Sequence, residues 1–408
     1  MDVVIVSACR TPIGAFGGSL RDVHASKIAS VAMKGAIERA GIEPATIGDV
    51  RFGCCLNPVD ALNVTRIGAL IAGIPDSVPA VTINRVCISG MEATLSGAAM
   101  IKAGVADVIL SGGVEHMSGA PYTLERVRWG VRMGNDKVID AMQIGLHVGS
   151  HILPYPMDGP VEAFRGKPYI MGHTAEFLAM KMGITRQEQD EVALRSHNNV
   201  ERATREGDFA DEIVPVAVPQ KKGEPKLFDK DEHFRPGLTM EALSKLAPVF
   251  IPKTGTVTAG NASGMNDGAA AMVIMSLEKA KAEGFTPLAR IKAVGMGACD
   301  PTLMGLSPVP AVKSLLKRSG LTLGDFDFIE LNEAFAATYL AGEKELNLNR
   351  DITNVNGSGI GLGHPVGCTG ARIMVSLVYL LRKKNKSLGL ATLCGGGGIS
   401  MACALEVM

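Results

Sequence analysis

Mostly apolar runs of strand length lie at 3–7, 50–53, 80–83 and 107–111. Between them, the stretches 26–40, 63–72 and 90–103 repeat their apolar residues every three or four positions, the spacing of a helix with one buried face. Gly41 stands where a left-handed helix end is expected, and Gly73 with Pro75 closes the second helix. Strand and helix in alternation predict an α/β fold with a largely parallel sheet.

From 121 to about 255 the character changes, with more Met, Pro and charge and the single Trp129. One clear helical region runs over 174–205 and is interrupted near Gly183; its portion 187–200 is strongly charged and reads as a solvated face. The stretch 149–168 is rich in Pro and Gly and unpatterned, as a lid or binding loop is. The first pattern then returns. The run 36–42 is echoed at 315–321, 48–52 at 324–328, and 107–113 at 390–396. From Gly41 to Cys87 is 46 residues and from Gly320 to His364 is 44, so Cys87 and His364 fall at nearly equivalent places of an internal duplication. Two similar halves stacked on each other would place both residues at one pseudo-twofold interface. Two separate domains sharing a common fold would leave a similar pattern.

A length of 408 residues leaves room for two or three domains with sizeable cores. Lys and Arg total 41, as do Asp and Glu, and this balance argues against a nucleic-acid footprint. With 47% hydrophobic and 20% charged residues the chain is not a disordered one. No two of the eight cysteines have the two-residue gap of a zinc or redox motif, so reduced thiols in a cytoplasmic setting are expected. The N-terminal run is too short for a signal peptide. The uncharged stretch 387–405 holds four consecutive glycines at 395–398 and reads as two strands around a turn, not as a membrane span. His147 and His151 are spaced to share a helix face, but Gly149 and Pro154 weaken that helix and no acidic residue lies between them, so no metal site is expected.

Four places carry candidate chemistry. Cys87 sits between a strand and a helix, where the amides and positive end of the helix would lower its pKa and favour a thiolate nucleophile; a buried structural cysteine is the alternative. His364 ends a glycine-rich stretch beginning at Asn356, a backbone cradle that presents one imidazole or binds a phosphate. No acidic residue follows at the distance a dinucleotide fingerprint needs. Cys394 precedes Gly395, Gly396, Gly397 and Gly398: a second thiol beside free amides can shuttle a proton next to an oxyanion site, or be incidental to a tight hairpin. Asn332 follows the apolar run 328–331, either orienting a water or capping a helix.

Together these stretches resemble the thiolase family of coenzyme-A acyltransferases, in the right order over nearly the whole chain. The resemblance is carried by Asn84-Arg85-Val86-Cys87-Ile88-Ser89-Gly90, by Gly112-Gly113-Val114-Glu115-His116-Met117-Ser118, by 255–264 with its Gly260-Asn261-Ala262-Ser263-Gly264, by Asn332-Glu333-Ala334-Phe335-Ala336, and by the His364 and Cys394 loops. It implies an α/β fold of five layers, α-β-α-β-α, duplicated from two similar halves with an inserted loop domain. The implied division is 1–120 plus about 265–285 for the first half, 121–264 for a lid and CoA-binding insertion, and 286–408 for the second half.

The resemblance also implies roles. Cys87 takes the acyl group as a thioester, activated by His364, which shares a thioester oxygen with a water held by Asn332. Cys394 moves the proton on the α-carbon of acetyl-CoA, and the amides of Cys87 and Gly396 form a second oxyanion hole. Ser263 meets the pantetheine arm, Arg235 the nucleotide phosphate, and Met171, Met304, Ala334 and Phe335 line the substrate pocket. The activity implied is reversible CoA-dependent cleavage of 3-oxoacyl-CoA by ping-pong chemistry, in a homodimer or homotetramer. CoA is then a substrate, and no cofactor, nucleic acid or membrane is involved. Ile170 stands where short-chain members often carry a His, Ile88 is bulkier than usual after the nucleophile, and the loop at 149–168 is long. These departures extend the expected substrates to longer, branched or aromatic 3-oxoacyl groups. A ketosynthase-like condensing enzyme would use two histidines with one cysteine, and a non-catalytic lipid-binding or scaffold subunit would not need all four of Cys87, Asn332, His364 and Cys394.

Overall fold

A computed structural model describes residues 1–150, 152, 162 and 164–408. Among these residues the main sheet has ten strands, one of them the short Gly14–Ala15 that pairs with Asn266–Ser276 off the main path. One half runs Val3–Arg10, Asn266–Ser276, Val108–His116, Asp49–Gly53, Ala80–Ile83; the other runs Ala289–Ala298, Ile399–Val407, Leu388–Gly395, Phe328–Leu331. Both halves repeat one sequence of pairings. The first two are antiparallel and the third is parallel. The fourth is parallel as well, a full strand pair in one half and the single bridge Ile329–Thr353 in the other. The halves meet where Val4 and Ile5 pair with Arg290 and Ala289.

The sheet is therefore mixed, not largely parallel. A buried strand reads as an apolar run whatever its direction, so periodicity carries no sign. Asn266–Ser276 arrives from the long insertion, and Ile399–Val407 returns through a glycine turn with Gly397 and Gly398 at φ 83° and 78°. Both enter antiparallel. The 387–405 stretch is that hairpin, and among the described residues no helix is long and apolar enough to cross a membrane.

The layers follow from which faces are apolar. Ala25–Ala40 and Val64–Ile71 cover the outer face of the first half, and Pro308–Ser319 covers that of the second. Ser89–Lys102 and Val366–Lys383 lie between the halves, the latter touching strands of both. Backbones approach closely there: a Cβ on Gly370 would stand 2.5 Å from the Met91 nitrogen, and one on Gly90 2.8 Å from that of Ala371. This is the five-layered duplication, and it puts Cys87 and His364 at the heads of the two central helices. The helical region of the insertion is two helices, Met171–Met182 and Arg186–Arg205, parted by Gly183 at φ 61°. The charged one is not simply a solvated face. Its Ser196, His197 and Val200 are buried, with Ser196 and Val200 against the glycine loop that carries His364.

Candidate active site

Cys87 stands at a sharp turn between Ala80–Ile83 and Ser89–Lys102. Val86, a β-branched residue, is held at φ 51°. Such strain persists only where surroundings enforce it. Here Asn84 Oδ1 accepts from the Val86 nitrogen at 3.0 Å, while the Val86 carbonyl accepts from Ser89 Oγ at 2.5 Å, the Ser89 nitrogen at 3.0 Å and Cys55 Sγ at 3.0 Å. The helix end does not make Cys87 acidic. Burial pushes its thiol up to about 11, only partly offset by the Gly396 amide and its own, with the Glu115 charge pushing the same way as burial. At neutral pH about 1 in 10⁴ of such thiols is ionised, so a base is required.

His364, the expected base, opens into the same cavity as Cys87. His364 is buried, and its backbone nitrogen donates to Asn266 Oδ1 at 2.9 Å. Its Nδ1 lies 2.7 Å from Thr369 Oγ1, whose own hydrogen goes to the Pro365 carbonyl at 2.9 Å. A hydroxyl so committed accepts, and at 2.7 Å it favours the proton on Nδ1 and a free Nε2 lone pair over the long approach of the Asn332 amide nitrogen, a donor that would need Nδ1 bare. Burial, then the Arg372 charge, holds the imidazole at about 3, so it rests neutral, and it gains basicity only as negative charge develops on a neighbouring sulfur. The Asn332 amide nitrogen stands 3.4 Å from Nδ1, and its oxygen accepts from Arg372 at 3.4 Å. Asn332 is not a helix cap, since the following helix starts at Ala336.

Cys394 ends the buried face of Leu388–Gly395, and burial, then the nearby Cys87 charge, pushes its thiol far above the usual range. Gly396 follows in the turn; a Cβ there would stand 2.7 Å from Val148 Cγ2 and 3.1 Å from both Met171 Sδ and Val86 Cγ1. Cys87 and His364 open into a cavity of about 650 Å³. Ser263, Ala334 and Phe335 line one side, joined because the Ser263 nitrogen donates to the Ala334 carbonyl at 2.9 Å and Ala262 bridges Phe335. Met171 and Met304 line it as well, and Leu56, Met117, Met142 and Leu146 close the side nearest Cys87. No Asp, Glu, Lys or Arg lines it among the described residues.

Not every expected residue reaches this cavity. Asn332, Cys394 and Gly396 stand behind His364 and Cys87 and do not line it. Arg235 is exposed and outside it, with its backbone nitrogen donating to His197 Nδ1 at 3.2 Å. His151 and most of the 149–168 loop lie outside the described residues. No group of three or more His, Cys, Asp or Glu suited to a metal occurs among the described residues. Sequence reasoning missed Thr369, for which the signal was a hydroxyl in the first turn after His364, and Glu115, a lone carboxylate in an otherwise apolar strand.

Comparison with known proteins adds the family. Residues 3–278 match the family model for the thiolase N-terminal domain, and 285–407 that for the thiolase C-terminal domain. The chain is 46% identical to an acetyl-CoA acetyltransferase of Cupriavidus necator over 405 residues, covering 99% of each. It superposes on the crystal structure of the Bacillus anthracis acetyl-CoA acetyltransferase with a TM-score of 0.93 at 46% identity, covering 100% of this chain and 99% of that one. It superposes on human mitochondrial 3-ketoacyl-CoA thiolase in complex with CoA with a TM-score of 0.91 at 41% identity, covering 100% and 98%.

Proposed function

The chain belongs to the thiolase family and is an acyltransferase of that family, and from this premise we propose that it cleaves 3-oxoacyl-CoA with CoA, reversibly, through a thioester on Cys87. The observation that carries the reading is the opening of Cys87 and His364, from equivalent places in two halves, into one apolar cavity. His364 Nε2 takes the Cys87 proton as the sulfur attacks the 3-oxo carbonyl. The bond between C2 and C3 breaks, and Cys394 protonates the departing acetyl-CoA carbanion. The acyl group stays on Cys87 while the His364 proton passes to the Cys394 thiolate; the CoA thiol, deprotonated by the neutral imidazole, then takes the acyl group, and the departing Cys87 sulfur recovers that proton from His364. Oxyanion donors are typically worth about 3 kcal/mol each; the Cys87 and Gly396 amides, which already favour a negative sulfur, serve one carbonyl, and His364 with an Asn332-held water the other.

The CoA arm enters along Ser263, Ala334 and Phe335, with the 121–264 insertion as its binding and lid segment and Arg235 available for the nucleotide phosphate. The relative solved with CoA supports CoA as the second substrate. The far side, Leu56, Met117, Met142 and Leu146, then receives the acyl chain. Flexible methionines adapt to shape, and a wall without charge favours an unsubstituted apolar chain. We assign the substrate as a 3-oxoacyl-CoA longer than acetoacetyl-CoA and the assembly as a homodimer or homotetramer. A panel of 3-oxoacyl-CoAs from four to ten carbons tests this: kcat/KM should rise with each added methylene, by about five-fold or more while the pocket fills. Fastest turnover of acetoacetyl-CoA would overturn the chain-length assignment, and absence of turnover across the panel would overturn the activity.

A further inference from the structure

Glu115 is fully buried on Val108–His116, and among the described residues no cation pairs with it. Taking a carboxylate out of water without a counter-ion is costly unless donors surround it. They do, and they come from both halves of the duplication. Oε2 accepts from the Gly367 nitrogen at 2.7 Å and from the Cys55 nitrogen at 3.0 Å; Oε1 accepts from the Leu56 nitrogen at 3.0 Å, with Cys54 Sγ at 3.6 Å. Gly367 lies in the first turn of the helix after His364, between that residue and its tautomer partner Thr369. Cys55 donates its thiol to the carbonyl of strained Val86, the residue before Cys87. One oxygen atom thus joins the chain segment that carries the base to the one that holds the nucleophile. The space is made for this contact: a Cβ on Gly367 would stand 2.9 Å from Oε2 and 2.7 Å from the Cys54 Cα.

We propose that Glu115 is a positioning residue whose carboxylate sets the separation of Cys87 and His364 by tying the 54–56 loop to the head of the Val366–Lys383 helix. This rests on the reading of Cys87 as nucleophile and His364 as base. Glu115 touches no substrate, since it does not line the cavity, and its contacts are with the 54–56 loop and Gly367 rather than with Ser263, Ala334 or Phe335 on the side that receives CoA.

The test is Glu115→Gln, isosteric but turning an amide donor toward the N–H groups, and Gly367→Ala, which presses on the same carboxylate from the other side. Misplacing reacting groups by a fraction of an ångström costs rate rather than binding, so kcat should fall about 30-fold or more in each, with KM for CoA within about three-fold of the parent. The double variant should be little worse than either single one, because both break one contact. A folded Glu115→Gln with kcat within about three-fold of the parent, or with CoA KM rising in step with the loss, overturns the proposal. Should the amide variant not fold, Gly367→Ala is judged by the same criteria. Retained turnover in Cys87→Ala would instead overturn the reading beneath it.

Discussion

Cys87 and His364 are both uncharged at rest, the thiol pushed up to about 11 and the imidazole held at about 3. Burial is the leading cause of both shifts, and it acts against the charged form of each. Neither group titrates between these values, which makes a testable statement about pH. Where His364 takes the proton in the same step as the sulfur attacks, the neutral pair reacts at a pH-independent rate, so iodoacetamide alkylation of Cys87 should level off below neutral pH instead of falling tenfold per unit with the thiolate fraction. In His364→Asn the rate at neutral pH should drop, then climb about tenfold per pH unit toward 11 as thiolate forms unaided. Thr369→Val, which releases the Nδ1 proton, should fall between the two, and Thr369→Ser should keep the parent's profile. Rates that fall tenfold per unit below neutral pH in the parent would remove His364 as the base. The residue types at 87, 364 and 394 were legible in the sequence because thiols and an imidazole beside glycine clusters are chemically conspicuous. The protonation state was not: it depends on burial, which appears only when the halves stack.

At the scale of elements, the same stacking explains what a linear reading could not supply. The helix over 26–40 and the strand over 80–83 lie within a residue of their expected bounds, since each carries its own period and stop. Val108–His116 runs five residues past the expected end at 111, where Gly112 and Gly113 follow. These glycines are places where neighbours press, a Cβ on Gly112 standing 2.0 Å from the Ala270 carbonyl and one on Gly113 2.4 Å from that of Gly367. Arg186–Arg205 shows the converse, a charged helix whose small polar Ser196 is buried and gives its hydroxyl to Glu333 at 2.5 Å. The two central helices also meet backbone to backbone, a Cβ on Gly370 standing 2.5 Å from the Met91 nitrogen. Gly370→Val should lower stability by about 3 kcal/mol, read as a shifted denaturant midpoint, because the added carbons meet the Met91 backbone rather than a side chain that can move. A variant as stable as the parent would show that the helices are free to separate there.

For the whole molecule, the duplication is the device that makes the site. Each half alone offers one helix head with one chemical group at it; only the pair sets a thiol opposite an imidazole, with a second thiol from the returning hairpin behind. The echoes at 36–42 and 315–321 made the duplication legible, because helix ends and strand starts recur at matched spacing. Strand direction was not legible, nor was the wall of Leu56, Met117, Met142 and Leu146, since both are products of the insertion and the hairpin closing over the halves. The central claim is that the acyl group passes through Cys87. The most direct measurement is mass spectrometry with peptide mapping of the enzyme mixed with a 3-oxoacyl-CoA or acetyl-CoA and quenched before free CoA accumulates. One acyl group per chain on the peptide carrying Cys87, discharged on adding CoA, is the predicted result. Turnover without any acylated Cys87, or with the acyl group on another residue, would contradict it.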